Sequence, residues 1–170
     1  MKPTLKPISL ASLSLLSAIA PKVSSAVEFE PMGKALTSLL KSTKVSKKNV
    51  VLDGKDTPVF FAKDGNGKIT SLAVIEKGIY EPNCTHTWAI GIDPTQGTVT
   101  EVRPIEMSCQ HAFPTREGSF LEQFVGKGPA DAAKLEKEVD VIAKATGSSK
   151  LAATAVKRAI TIFQKNKGSL

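Results

Sequence analysis

The most informative stretch of the chain is Val139-Asp140-Val141-Ile142-Ala143-Lys144-Ala145-Thr146-Gly147-Ser148-Ser149-Lys150. It lies between a Lys/Glu-rich segment and an amphipathic segment. Its residues Thr146, Gly147, Ser148 and Ser149 are predicted to form a polar turn that opens a helix. The first backbone N–H groups of a helix have no partner within it, and its dipole is positive at that end, so such a turn suits a phosphate. The alternative is a Ser/Gly helix cap without a ligand.

The segment after this turn is the clearest helix in the sequence and is predicted over residues 149–164. Apolar side chains recur along it at helical spacing, so one broad side should face a core. These side chains are Leu151, Ala152, Ala155, Val156, Ala159, Ile160, Ile162 and Phe163. Lys157, Arg158 and Lys165 lie on the other side and in the last turn, where cations complement the helix dipole.

The middle of the chain has the composition of β-strands. Val, Ile and Phe are frequent there, and turn residues bound each run. The predicted strands are 50–52, 58–62, 69–75, 88–93 and 98–105, and a short helix precedes them at 31–40. The turn 63–68 is predicted to close a hairpin rather than hold calcium, because Lys68 stands where an oxygen ligand is needed.

The pattern Asp140-x-x-Ala143-Lys144-Ala145-Thr146-x-Ser148-Ser149 resembles the flavinylation motif of the FMN-binding domain family. That family includes the flavoprotein subunits of sodium-translocating NADH:quinone reductase and of the Rnf complex. The resemblance implies that an extracytoplasmic flavin transferase, with FAD as donor, esterifies the Thr146 hydroxyl to the phosphate of FMN. The turn 145–149 is therefore expected to be accessible to solvent. It makes Asp140 and Ala145 recognition positions. Lys144, Gly147, Ser148 and Ser149 complete the implied cofactor-binding set.

The resemblance extends over about residues 58–160. The segment Phe120-Leu121-Glu122-Gln123-Phe124-Val125-Gly126-Lys127 is similar to the family's Phe-x-x-Gln-Phe-x-Gly-Lys segment. This sequence departs from the family pattern at Ala143, where Ser or Thr is usual, at Lys144, where Gly is commonest, and in the loop 109–116. The implied fold is α+β, an antiparallel sheet with flanking helices in a single FMN-binding domain, residues 27–170.

The two cysteines and two histidines repeat one spacing, Cys84-Thr85-His86 and Cys109-Gln110-His111. In extended backbone this spacing puts both side chains of each pair on one face. Because an exported chain with two cysteines usually oxidises them, a Cys84–Cys109 disulfide is predicted. The alternatives are a tetrahedral metal site formed by the four side chains, and free thiols.

The start of the chain is predicted to be a secretory signal peptide, residues 1–26. Lys2 and Lys6 provide a basic region, 8–20 a short apolar run, and Ser24-Ser25-Ala26 a small-residue cleavage site. The rival interpretation is a membrane anchor, but the apolar run is shorter than a bilayer-spanning helix. A periplasmic or otherwise extracytoplasmic protein without a stable membrane span is therefore expected.

Composition and motifs argue against several classes of function. The formal net charge is +7, but no basic cluster is interleaved with aromatic residues, so no nucleic-acid partner is expected. No nucleophile-elbow, Walker or dinucleotide-binding pattern occurs. An electron-transfer protein is favoured over an enzyme with its own substrate: it would carry covalent FMN between an unidentified donor and acceptor. The alternatives are a non-redox binding or interaction module of the same fold, and a Cys/His metal-binding protein.

Overall fold

The computed structural model describes residues 26–80 and 83–170, so the predicted leader, apart from Ala26, lies outside the described residues. The elements in chain order are β1 (Val27–Glu28), α1 (Met32–Leu40), β2 (Ser46–Leu52), β3 (Lys55–Lys63), β4 (Ile69–Tyr80), β5 (Cys84–Ile92), β6 (Val99–Met107), α2 (Gly118–Leu121), α3 (Leu135–Glu138) and α4 (Thr146–Asn166), with 3₁₀ segments Gln110–Arg116 and Glu122–Phe124. The fold is α+β, as predicted, with helices on both faces of one sheet.

The sheet has six antiparallel strands in the order β1-β6-β5-β4-β3-β2. Strand β5 lies inside the sheet, and all its residues except Thr85 are buried. A strand covered on both faces carries apolar residues without strict alternation, which explains the run Trp88-Ala89-Ile90 at its centre. Strand β5 begins four residues before the predicted strand at 88, because the polar residues 84–87 pair with β4 and β6.

Helix α4 covers the face of the sheet that holds the larger core. It runs along β4, and its contacts are Gly147 with Tyr80, Leu151 with Gly78, and Arg158 with Glu76. The predicted apolar side of the helix faces this core, where Ile160 and Val156 are fully buried. Burial of a side chain such as Ile160 contributes roughly 1.5–3 kcal/mol to stability. The long helix is thereby fixed relative to the sheet along its length.

Helix α1 covers the opposite face. Its residues Ala35, Leu36, Leu39 and Leu40 are buried, and they pack in a second cluster of core residues with Ala89. The helix ends at Leu40, and Lys41 follows in the left-handed conformation, with φ 50°. The predicted helix 31–40 is confirmed, with Pro31 as the residue before its first turn.

Two ion pairs connect the layers. Arg158 Nε donates to Glu76 Oε2 at 2.9 Å, and burial raises the pKa of Glu76 while the hydrogen bond from Arg158 opposes this. Arg103 donates to both oxygens of Glu30, from Nε at 2.8 Å and from Nη2 at 2.9 Å. These hydrogen bonds lower the pKa of Glu30. Both pairs tie flanking segments to the sheet.

The predicted hairpin between β3 and β4 is present. Asp64 Oδ1 accepts hydrogen bonds from the backbone N–H groups of Asn66 at 2.9 Å and Lys68 at 3.0 Å, so this side chain closes a turn. Gly67 has φ 81°. The second predicted hairpin, between β5 and β6, is also present, and Asp93 Oδ1 caps its turn.

In the part of the chain that the structure describes, no helix combines the length and apolar composition needed to cross a bilayer.

Candidate functional site

Thr146 is the first residue of α4, three residues before the predicted helix start. The helix begins there because Lys144 has φ 65°, a left-handed conformation that changes the chain direction, and Ala145 is the N-cap. The Thr146 side chain is exposed, and its hydroxyl has no hydrogen-bond partner among the described residues. The hydroxyl is therefore accessible to a modifying enzyme.

The left-handed backbone at Lys144 gives a physical reason for the glycine that is commonest at this position of the flavinylation motif. Glycine adopts φ > 0 without steric cost, whereas a residue with a Cβ does so at a cost of about 1 kcal/mol. Lys144 keeps the same turn with an exposed cationic side chain. The departure from the motif at 144 therefore changes charge and strain but preserves the turn.

Ser148 and Ser149 face the protein interior, at 1% and 0% exposure. Ser149 Oγ donates to the Ala145 carbonyl at 3.0 Å and accepts from the Ile142 N–H at 3.1 Å. The expectation that all of the turn 145–149 is accessible is therefore wrong for Ala145, Ser148 and Ser149, because their side chains pack under the helix start. It holds for Thr146, which points the other way. The role of the two serine residues in binding the cofactor stays a prediction.

The ring of Tyr80 lies beside the turn at Thr146 and Gly147. A Cβ at position 147 would lie 2.3 Å from Tyr80 Cε2 and 2.4 Å from Cζ, so only glycine permits this approach. Tyr80 is 47% exposed. The turn thus adjoins an exposed aromatic ring. Gly147, next to Thr146, is the one sign of this contact in the sequence, and it does not indicate which ring approaches.

The start of α4 has the features of an anion site. The N–H groups of its first turn have no intrahelical acceptor, and the dipole is positive there. Lys144 and Lys150, on either side of Thr146 in the sequence, are both exposed. These donors and charges suit a phosphate ester on the Thr146 hydroxyl.

Asp140 is exposed, six residues before Thr146, and its backbone is fixed by the Phe120–Lys127 segment. The Asp140 N–H donates to Gln123 Oε1 at 2.9 Å, and Gln123 Nε2 donates to the Phe120 carbonyl at 2.7 Å. A cavity of about 270 Å³ lies between the two segments, and Lys127 is also in its wall. The two stretches that carry the family resemblance therefore meet in space. Recognition of Asp140 by a transferase stays a prediction.

The predicted disulfide is present between Cys84, the first residue of β5, and Cys109, which follows β6, with Cα atoms 5.3 Å apart. Its position follows from the antiparallel pairing of the two strands, in which His86 lies opposite Met107. Cys84 is buried, whereas Cys109 is partly exposed. The crosslink thus lies at the edge of the core.

His86 connects this crosslink to the start of α4. Its Nδ1–H donates to the Cys84 carbonyl at 3.2 Å, so Nε2 of the neutral ring accepts from the Ser148 hydroxyl at 3.1 Å. Burial lowers the pKa of His86, which keeps the ring neutral. The ring also stacks on Trp88, with centroids 5.3 Å apart. His86 therefore fixes the first turn of α4 against the sheet, a role that its Cys-x-His spacing did not predict.

The described residues fit an FMN phosphate at the start of α4, on the evidence of the exposed Thr146 hydroxyl, the N-terminus of a long helix and the adjacent Tyr80 ring. Another cavity, of about 560 Å³, lies around Arg103 and Leu121. None of the predicted site residues lines it. The turn at Thr146 is thus a surface site beside the Tyr80 ring rather than part of that cavity.

Comparisons with known proteins agree with this fold. No curated protein matched the chain significantly. Among solved structures, Shewanella oneidensis NqrC is similar with a TM-score of 0.51 and 20% sequence identity, over 67% of this chain and 62% of NqrC. At this identity the likeness shows a shared fold, and this chain spans less than two thirds of the NqrC chain. The family model of the FMN-binding domain matches residues 53–161, most of the described sheet and α4. The chain therefore belongs to the FMN-binding domain family.

Proposed function

We propose that this protein is an extracytoplasmic electron carrier in which FMN is attached through a phosphoester to Thr146. The observation that carries the proposal is the Thr146 hydroxyl, exposed and without a partner among the described residues, at the N-terminus of α4 inside a matched FMN-binding domain. Serine hydroxyls in the same turn are buried and hydrogen-bonded. Thr146 is thus the one hydroxyl of this turn that a transferase can reach.

The attachment reaction makes Thr146 the nucleophile. Its Oγ bonds to the FMN phosphorus of FAD, the bond from that phosphorus to the bridging pyrophosphate oxygen breaks, and AMP leaves. The Thr146 proton is lost in the process. The first-turn N–H groups of α4 and the exposed Lys144 and Lys150 would hold the resulting phosphodiester, which carries one negative charge. The dipole and both cations favour the product of attachment.

The chain's own residues give the attached flavin a surface to pack on. Tyr80 is exposed beside Gly147, and Val141, at 45% exposure, belongs to the loop before the turn. Apolar and aromatic side chains of this kind pack against a flat ring system and shield it from water. When bound, FMN supplies one- and two-electron transfer, and the protein supplies attachment and orientation. The donor and acceptor are proposed to be redox proteins or a membrane redox complex.

Secretion is part of the proposal, because the flavin transferase of the family acts outside the cytoplasm. The basic and apolar regions of residues 1–26 and the small-residue site before Val27 support export. Fractionation of cells that produce the full chain tests this directly. The expected result is a mature protein that begins at Val27 in the periplasmic fraction, and an uncleaved chain in the cytoplasm contradicts it.

Co-expression with a flavin transferase tests the attachment. Wild-type protein should remain fluorescent in a denaturing gel, and Thr146→Ala should abolish the fluorescence while leaving the circular dichroism unchanged. Thr43→Ala, at another exposed threonine, is the matched control and should be modified like the wild type. A wild-type protein without covalent flavin, beside a flavinylated positive control, would contradict the proposal and favour a non-redox binding module.

Lys144→Gly tests the strained turn. The substitution removes the Cβ at φ 65°, so the free energy of unfolding should rise by up to about 1 kcal/mol. The larger conformational entropy that glycine loses on folding opposes this rise. Flavinylation should persist, because glycine is the commonest residue of the motif at this position. Loss of modification in Lys144→Gly would show that the lysine side chain is required.

A further inference from the structure

Two histidine rings surround the buried sulfur of the disulfide. Cys84 Sγ lies 3.8 Å from His86 Nε2 and 3.9 Å from His111 Nε2. The Cys84 and Cys109 sulfurs and a ring nitrogen of His111 all lie within 4.8 Å of one another. A disulfide that only crosslinks the chain needs no imidazole beside it. The function proposed above does not use His111 or either sulfur.

The fold brings these groups together from two strands. Cys84 and His86 lie on the same face of β5, two residues apart, and point toward α4. Cys109 follows β6, the neighbour of β5, and His111 lies in the 3₁₀ segment that begins one residue later. The repeated Cys-x-His spacing therefore converges on one place, at the end of the sheet.

The separations match those of ligands around a small tetrahedral cation. Zn–S bonds of about 2.3 Å and Zn–N bonds of about 2.05 Å place a sulfur and a nitrogen roughly 3.5 Å apart at the tetrahedral angle. The distance of 3.9 Å between Cys84 Sγ and His111 Nε2 exceeds this value by only a few tenths of an ångström. Small side-chain rotations would therefore complete the geometry once the two sulfurs are no longer bonded to each other.

We propose that the disulfide is one of two states of this cluster, and that the reduced state binds a borderline-soft d¹⁰ cation such as Zn²⁺ through Cys84, Cys109 and His111. Reduction by a dithiol breaks the Sγ–Sγ bond. Two electrons and two protons pass to the cysteine sulfurs, giving two thiols, while the dithiol becomes a disulfide. Cation binding then releases the two thiol protons, and His111 binds as the neutral ring. Disulfide and metal site are thus successive states of one pair of cysteines.

The surroundings of the two histidines show that His111 is a ligand and His86 a supporting residue. His111 is exposed and Cys109 partly exposed, so a dithiol and a cation can approach from that side. His86 is fully buried, with Nδ1 bound to the Cys84 carbonyl and Nε2 bound to the Ser148 hydroxyl. It therefore positions Cys84 next to α4, and water takes the fourth coordination position.

Metal titration of the full chain in both redox states tests the proposal. Thr146→Ala is the background, so that no flavin contributes and the result is independent of the function proposed above. The reduced protein should bind one equivalent of Zn²⁺ at least about 100-fold more tightly than the oxidised protein, because only thiolates are strong ligands here. Co²⁺ in place of Zn²⁺ should give thiolate-to-cobalt charge-transfer absorption. Equal affinity in both states, or no binding by the reduced protein, would overturn the proposal.

Matched variants test the ligand set. His111→Ala should weaken Zn²⁺ binding by at least about tenfold, whereas Gln110→Ala, at the exposed neighbouring residue, should leave it unchanged. Wild-type affinity in His111→Ala would refute the assignment of His111. Far-UV circular dichroism monitors folding of the reduced protein. If reduction alone unfolds it, refolding on addition of Zn²⁺ supports the site, and failure to refold rejects it.

Discussion

The Tyr80 ring occupies the space that a side chain at Gly147 would need, with Cε2 2.3 Å from the position of a Cβ there. This contact joins the end of β4 to the first turn of α4, next to Thr146. Because Gly147 has no Cβ, an aromatic ring can lie directly against the backbone of the turn at Thr146.

Gly147→Ala should displace this ring. Tyr80 is the only tyrosine in the sequence, so its aromatic NMR resonances report on the contact without ambiguity. The resonances should shift, while the free energy of unfolding changes by less than about 1 kcal/mol, because a half-exposed ring can rotate into solvent. Gly33→Ala is the control, since nothing lies within 4 Å of a Cβ at that position. Unchanged Tyr80 resonances in Gly147→Ala would contradict the contact.

Loss of the disulfide should lower stability substantially. In the chain-entropy model, a crosslink with a sequence separation of 25 stabilises by roughly 3.5 kcal/mol. Urea unfolding of Cys84→Ser/Cys109→Ser should show a decrease of this order relative to the oxidised wild type. A reductant should not change the double variant, which controls for effects on other groups. Equal midpoints for oxidised and reduced wild type would show that the crosslink is absent or without effect on stability.

Removal of Arg158 should leave the Glu76 carboxylate buried without its partner. Arg158→Met is expected to cost about 2 kcal/mol, less than for a fully buried pair because the Arg158 side chain is 36% exposed. The pKa of Glu76 is already raised by burial, so the loss should shrink at acidic pH, where Glu76 is protonated in the folded protein. Lys157→Met is the control. It breaks a more exposed pair with Glu136 and should cost less than about 1 kcal/mol. A similar loss in both variants would contradict the special position of Glu76.

Glu30 should contribute stability at neutral pH that is lost in acid. Hydrogen bonds from Arg103 lower its folded pKa below the ordinary value of 4.5, so its contribution is present above pH 4.5 and is lost as the pH falls through the folded pKa. Glu30→Gln should therefore be less stable than wild type at pH 7, by about 1 kcal/mol, and the difference should vanish in acid. Urea unfolding over this pH range measures it. A difference that is constant with pH would show that the carboxylate charge plays no part.

Local sequence patterns were sufficient for the elements whose contacts are periodic or close in sequence. The apolar side of the helix predicted over 149–164 does face the core, and the two hairpins form where turn residues such as Asp64 and Asp93 close them. The Cys84–Cys109 pairing was predictable because strand ends in one sheet come together. Each of these depends on local geometry or on one tertiary pairing.

Other features depend on tertiary contacts that a single sequence does not display. Helix α4 starts at Thr146 and not at the predicted residue 149, because the Lys144 backbone is left-handed and the Ser149 hydroxyl donates to the Ala145 carbonyl. The two-residue strand β1 exists only through its pairing with Met107 and Glu106. The hydroxyl of Ser148, a residue of the motif, is directed to His86 on β5, a contact between residues far apart in the sequence.

The most direct test of the central claim is the location of FMN in the tryptic peptide 145–150, Ala-Thr-Gly-Ser-Ser-Lys, which lies between Lys144 and Lys150. This peptide contains three hydroxyls, of which only Thr146 is exposed in the folded protein. Tandem mass spectrometry of protein co-produced with a flavin transferase should show one FMN on this peptide, with fragment ions that place it on Thr146. FMN on Ser148 or Ser149, FMN on another peptide, or an unmodified peptide beside a flavinylated control protein would contradict the claim.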